Sequence, residues 1–135
     1  MRMARSSGIE KIATILVRLD TGPEVVAGST RLKAGTAQKL VLNMLTTATM
    51  VRRGKVYENL MVDLRTASRK LEERTKRVFM QATGARYEDA ERWLRRAGGS
   101  LKVAIVMRRA GVTRPEAERR LKEAQGWVRQ AIRRS

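Results

Sequence analysis

The residues best equipped for chemistry lie in one run, GPEVVAGSTRLKAGTAQK, from Gly22 to Lys39. Arg31, Lys33 and Lys39 supply three cations, with no Asp or Glu between Arg31 and Lys39. Cations at the start of a helix oppose its dipole by roughly 0.3–1 kcal/mol each, whereas an anion there is held by free backbone N–H groups and the same dipole. The segment is therefore expected to accept a negative charge. A ligand phosphate would supply it, with Ser29 and Thr30 adding hydroxyl donors and Lys33 an ammonium. Alternatively the run is an N-capped core helix in which Glu24 answers Arg31 or Lys33. Gly28 and Gly35 lack side chains, so a ligand or another stretch of backbone can approach closely; inside a helix Gly35 otherwise costs about 1 kcal/mol relative to Ala. Glu24, behind the fixed φ of Pro23, is placed to accept hydrogen bonds from sugar hydroxyls or to move a proton.

The chain has no Cys and no His. That removes disulfides, thiolate nucleophiles, imidazole acid–base chemistry and most transition-metal sites, so no cofactor or metal is expected. No Walker loop or nucleophile elbow is present, and no second carboxylate is placed beside Glu24 to complete an acid–base pair.

Several elements must position this segment. Ile12–Leu19 (IATILVRL) is a β-branched, apolar run closed by Asp20-Thr21-Gly22-Pro23 and is expected to be a buried strand. Ser29 or Thr30 is the expected N-cap of a long helix whose apolar positions Ala37, Leu40, Val41, Met44, Leu45, Ala48 and Val51 recur at helical spacing as far as Gly54. Lys55–Leu64 is compatible with a short strand or a helix, and a further helix is expected from about Thr66 or Ser68 to Gly84.

The remainder is an internal repeat. GARYEDAERWLRRAGGSLKVAI from Gly84 matches GVTRPEAERRLKEAQGWVRQAI from Gly111 at an offset of 27 residues. The shared positions are Gly84/Gly111, Ala90/Ala117, Glu91/Glu118, Arg92/Arg119, Leu94/Leu121, Ala97/Ala124, Gly99/Gly126, Ala104/Ala131 and Ile105/Ile132. Such residues provide helix ends and close packing, not chemistry, so two helix-turn-helix units are expected. Trp93 and Trp127 lie off the shared pattern and are expected to pack within this bundle.

At 135 residues, the chain has the size of one domain with room for a small appendage. Aromatics are 4% of it, so its core must rest on aliphatic side chains and seven Met. The net charge of +17 is uneven, with 20 of the 30 basic and 8 of the 13 acidic residues after position 63. This balance predicts attraction to polyanions, limited to non-specific contact with nucleic acid, because no RNA-module aromatics or recognition helix are present. No apolar run approaches the roughly 18 residues of a membrane span, and the opening Met1–Arg5 is not followed by the apolar core of a secretory signal; a cytoplasmic location and no membrane partner are expected.

The run Gly-Pro-Glu, then Gly-Ser-Thr-Arg-Leu-Lys, small residues and a Lys closely resembles the signature of the family that joins N-acetylmuramic acid 6-phosphate etherases with glucokinase regulatory proteins. Resemblance continues through LVLNMLTTATMVRRGKVYENLMVDL and into the repeat, from about Ala13 onward. It implies a fold that is mainly α with one or two strands: residues 1–83 as the carboxy-terminal part of an α/β sugar isomerase (SIS) domain, and 84–135 as a small ubiquitin-associated-like (UBA-like) helical bundle of three helices. It implies cleavage of the lactyl ether of N-acetylmuramic acid 6-phosphate to N-acetylglucosamine 6-phosphate and D-lactate in peptidoglycan recycling. Residue by residue, it places Glu24, Ser29, Thr30 and Lys33 in the wall of a sugar-phosphate pocket. The family's acid–base glutamates lie upstream of the matching residues, so no catalytic role passes to Glu10, Glu24, Glu58 or Asp63. A chain with this content is expected to be inactive alone and to self-associate. The alternatives are a phosphosugar-sensing regulatory or oligomerisation module and a basic nucleic-acid-binding module.

Overall fold

The computed structural model describes residues 8–64 and 68–133. It is mainly helical, with six α-helices and one small hairpin among those residues. Two compact units divide the chain, residues 1–47 and 48–135.

In the first unit, a short 3-10 turn at Ile9–Lys11 leads into Ile12–Leu19, which is not the strand that its composition predicts. Among the described residues its backbone enters no ladder, and Ile12 and Ile15 are 84% and 82% exposed. The reason is physical: an apolar β-branched run becomes a buried strand only beside other strands, and this unit offers none among its described residues. The long helix α1 forms as expected but spans Lys33–Arg52, so it begins three residues after Thr30, and Thr30–Leu32 form the turn before it. None of its side chains is buried.

The second unit buries its own core. The ambiguous stretch after Gly54 is a hairpin, β1 (Val56–Tyr57) against β2 (Leu60–Met61), antiparallel with Val56 opposite Met61 and Tyr57 opposite Leu60. Tyr57 and Val62 are buried, which anchors the hairpin to the helices. Helix α2 (Arg69–Thr83) follows the extended Ser68, while Thr66, the other expected start, lies outside the described residues. Thr75, Val78, Phe79 and Ala82 form its buried stripe, at helical spacing. Thr75 is tolerated there because its hydroxyl donates to the Leu71 carbonyl at 2.8 Å.

The repeat folds as two helical pairs, α3 (Tyr87–Arg96) with α4 (Leu101–Ala110) and α5 (Arg114–Glu123) with α6 (Val128–Arg133). That gives four helices where the family resemblance implies three. The 27-residue correspondence is geometric. Gly84 and Gly111 both end a helix at φ 71° and 67°, and each donates to the carbonyl four residues back, Met80 and Met107. Ala90, Ala117, Ala104 and Ala131 are all 0% exposed. Cβ groups as small as these let helix backbones approach, and Phe79, Leu101, Ile105, Val106 and Val128 fill the space between them. Trp93 and Trp127 are half-buried against this core, as expected. Because α2 packs on α3 and α4, the helix before Gly84 shares its core with the repeat.

This packing predicts a sharp contrast in denaturant melts. Phe79→Ala should cost about 3–5 kcal/mol, the usual penalty for emptying a fully buried aromatic site. Leu42→Ala in α1 should stay within about 0.5 kcal/mol, as surface substitutions do.

Candidate functional site

The Gly22–Lys33 loop is closed by its own side chains. Asp20 Oδ1 accepts from the Gly22 amide at 3.1 Å, fixing the turn that starts the loop. The turn expected at Asp20-Thr21-Gly22-Pro23 is thus an Asx turn, a usual role for Asp two residues before a Gly. Glu24 then reaches across nine and ten residues to the start of α1. Its Oε2 accepts from the Lys33 amide at 3.0 Å and its Oε1 from the Ala34 amide at 2.9 Å. In return, Lys33 Nζ donates to the Pro23 carbonyl at 2.8 Å. Loop and helix thus hold one another through three hydrogen bonds.

This arrangement is the second of the two alternatives, in which Glu24 answers Lys33. Its carboxylate supplies a negative charge at the first turn of α1. The two amides are among the four that every helix leaves without intrahelical partners, and a carboxylate satisfies both while meeting the positive end of the dipole. The same bonds, first from Ala34 and then from Lys33, hold the Glu24 carboxyl below its ordinary value of 4.5. An acid so held is ionised at neutral pH and cannot donate a proton there.

The glycines follow the same geometry. Gly28 has φ 87°, open to residues without a Cβ, and lies two residues after Val26, whose carbonyl accepts from the Ser29 amide at 3.1 Å. A Cβ on Gly35 would stand 3.2 Å from the Thr30 carbonyl, so the close approach allowed there is that of the loop's own backbone. Of the four residues expected in a pocket wall, Glu24 and Lys33 are therefore brought into contact. Ser29 and Thr30 lie on the same loop, and their hydroxyls make no hydrogen bond among the described residues.

Glu58 and Asp63, the other described acids left without a role, are ion-paired in the second unit. Glu58 Oε2 meets Arg129 at 2.8 Å, and Asp63 meets Lys55 at 3.1 Å. A groove of about 430 Å³ runs beside the hairpin, lined by Tyr57, Glu58, Asn59, Leu60, Gln81, Ala82 and Arg109. Another charged cluster was not foreseen: Lys76 contacts Glu73, Glu91 and Tyr87, and Tyr87 donates to Glu73 at 2.8 Å. It joins α2 to α3 and carries no chemistry of its own.

Among curated proteins, the N-acetylmuramic acid 6-phosphate etherase of Oceanobacillus iheyensis is 53% identical over 125 residues, 93% of this chain. The Geobacillus thermodenitrificans and Mycolicibacterium smegmatis proteins of the same name are each 52% identical, over 124 and 128 residues. This chain is homologous to N-acetylmuramic acid 6-phosphate etherases. It spans 42–43% of the length of these relatives. A match covering 95% of the chain leaves only a few residues outside it, so the Gly22–Lys39 run lies within the etherase homology. No protein-family model matches the chain.

The clamp predicts a pH dependence with a definite sign. A carboxyl whose pKa is lowered in the folded state contributes stability above its unfolded pKa, and that contribution is lost as pH falls through the folded value. Hydrogen exchange at the Lys33 and Ala34 amides should therefore lose its Glu24-dependent protection on acidification below the ordinary glutamate range. In Glu24→Gln, protection should be weaker at neutral pH and should not change across that range.

Proposed function

We propose that this chain supplies part of the sugar-phosphate pocket of an etherase-like SIS domain in the cytoplasm, and that it is inactive alone. The etherase homology spanning the Gly22–Lys39 run carries this function. The reaction of the completed site would be cleavage of N-acetylmuramic acid 6-phosphate to N-acetylglucosamine 6-phosphate and D-lactate.

In this proposal Ser29, Thr30 and Lys33 face the phosphate. Two hydroxyls and the remaining ammonium protons of Lys33 are donors suited to phosphoryl oxygens. Glu24 shapes the wall by holding the loop on α1. Each of its oxygens accepts one N–H and keeps a lone pair for a sugar hydroxyl. No general acid is assigned within the chain, since Glu24 is held ionised and Glu58 and Asp63 are ion-paired.

Two measurements test this. The purified chain should release no D-lactate from N-acetylmuramic acid 6-phosphate; turnover abolished by Glu24→Gln would place catalysis in this segment and overturn the assignment. Titration with N-acetylglucosamine 6-phosphate should shift the amide resonances of Ser29 through Ala34 with a millimolar dissociation constant, about 4 kcal/mol at standard state. Lys33→Glu should abolish those shifts, and an unchanged titration would show the segment to be a capped helix without a ligand.

A second function is favoured by one observation, the outer face of α2. Lys70, Arg74 and Arg77 recur there at helical spacing, are exposed, and have no ion pair among the described residues. Three such cations should hold single-stranded nucleic acid through its phosphates without sequence preference. The logarithmic salt slope should be about −2, a loss of affinity of roughly twentyfold between 50 and 200 mM salt. Sequence-selective binding that survives at 200 mM would make nucleic acid the leading partner.

A further inference from the structure

A groove in the second unit carries polar groups that the fold does not use. Tyr57 is 6% exposed, yet its hydroxyl has no hydrogen-bond partner among the described residues. No fully buried side-chain oxygen or nitrogen among those residues lacks a partner, so this hydroxyl opens to solvent. A tyrosine sunk this far ordinarily gives its O–H to a protein partner. Tyr57 lines the groove of about 430 Å³ beside the hairpin. Arg109, in the last turn of α4, lines it too, is exposed, and has no ion pair among the described residues. The side-chain amides of Asn59 and Gln81 have no hydrogen bond there either. The acid of the lining, Glu58, is taken by Arg129 at 2.8 Å, in a smaller hollow of about 300 Å³ that Tyr57 also lines. That pairing is kept in spite of strain: Glu58 has φ 54°, a left-handed conformation that hairpin turns usually give to Gly, Asn or Asp. Strain of this kind clusters at ligand-binding sites. Its effect here is to leave Arg109 as an unanswered charge in the groove.

We propose that this groove is a binding site for a small hydroxylated monocarboxylate, an unphosphorylated sugar acid of hexose size. The planar guanidinium of Arg109 offers two parallel N–H donors that match the two oxygens of a carboxylate. Its single charge answers one carboxylate, whereas a phosphate monoester, with a charge of about −1.5 to −2, would be left partly unneutralised. The Tyr57 hydroxyl and the carboxamides of Asn59 and Gln81 each donate and accept, as sugar hydroxyls do. Leu60 and Ala82 provide an apolar strip for the C–H face of a ring. The volume falls in the lower part of the range of about 300–1,000 Å³ usual for small-molecule sites. A nucleic-acid strand is the poorer occupant, because Lys70, Arg74 and Arg77, the exposed cations of α2, do not line this groove. The site lies wholly within the second unit and does not depend on the sugar-phosphate pocket proposed for the loop before α1.

The test is an NMR titration of the full, isotopically labelled chain with D-glucuronate at constant ionic strength. The amide resonances of Tyr57 through Leu60 and of Gln81 and Ala82 should shift and saturate with a dissociation constant of about 1 mM. D-Glucose, which lacks only the carboxylate, should bind at least about tenfold more weakly, the loss expected when a charge-assisted pair is removed. Arg109→Gln should impose the same loss, and Tyr57→Phe, which removes only the hydroxyl, a loss of about threefold to tenfold. Both variants should keep the parent's melt, because Arg109 is exposed and a Phe ring fills the place of the Tyr ring. Four results would overturn the proposal: D-glucose binding as tightly as D-glucuronate, acetate doing so, a parent-like titration of either variant, or no saturable shift at about tenfold the expected constant. Shifts confined to Ser29 through Ala34 would place the acid in the first unit and overturn it too. Lys33→Glu, which disables the pocket proposed there, should leave the titration of the groove unchanged, so the two sites stand or fall separately.

Discussion

The carboxylate of Glu24 sets the form of everything between Gly22 and Ala34. Two amides at the start of a helix have no partner within it, and a loop leading into that helix has no ladder to hold it. One side chain meets both needs by accepting from Lys33 and Ala34, while Lys33 returns a bond to Pro23. Such capping usually falls to a residue adjacent to the first turn, such as Ser, Thr or Asp. Here the cap comes from nine residues upstream, and the loop becomes a closed ring with Ser29 and Thr30 displayed on it. A motif rich in Gly, Ser, Thr and Lys therefore has a structural logic before any ligand is considered. The hydroxyls are presented because Glu24 has relieved them of the capping role.

That division explains which parts of the site were legible in the sequence. The absence of acids from Arg31 to Lys39 was visible, and so was the need for a negative charge. Its source was open, because Glu24 is distant in sequence and only the curvature of the loop brings it to the helix. The start of α1 was displaced for a related reason. Ser29 and Thr30 are good capping residues by type, but once a carboxylate supplies the cap, the helix begins where that carboxylate reaches.

The two helical pairs of the repeat were legible, since their determinants are local or repeated. Small residues at a 27-residue offset specify close helix packing twice over, and the structure buries both copies alike. The repeat's acids are also used locally: Glu116 lies between Arg119 and Arg120, whose bonds lower its carboxyl pKa to about 2. These pairs neutralise two of the cations on α5. The hairpin was less legible, because strands of two residues carry no periodicity. It is held by burial of Tyr57 and Val62, which only the tertiary arrangement reveals.

The strand expected at Ile12–Leu19 failed for the opposite reason. Its composition was read correctly, yet strand structure belongs to pairs and sheets, so one segment can have the chemistry of a strand without becoming one. The same holds for α1, whose backbone bonds are internal and therefore form, while its side chains wait for a surface. Burying each large aliphatic side chain contributes about 1.5–3 kcal/mol, a gain that the second unit collects and the first forgoes. Global melts will consequently report the second unit, while the loop that carries the etherase signature sits in the unit with no buried helix. The proposed pocket wall of this chain and its stability thus reside in different parts. A mutation can abolish one without registering in the other, which is why the decisive measurements on the signature loop are resonances and amide exchange at Ser29 through Ala34 and not the melting of the whole chain.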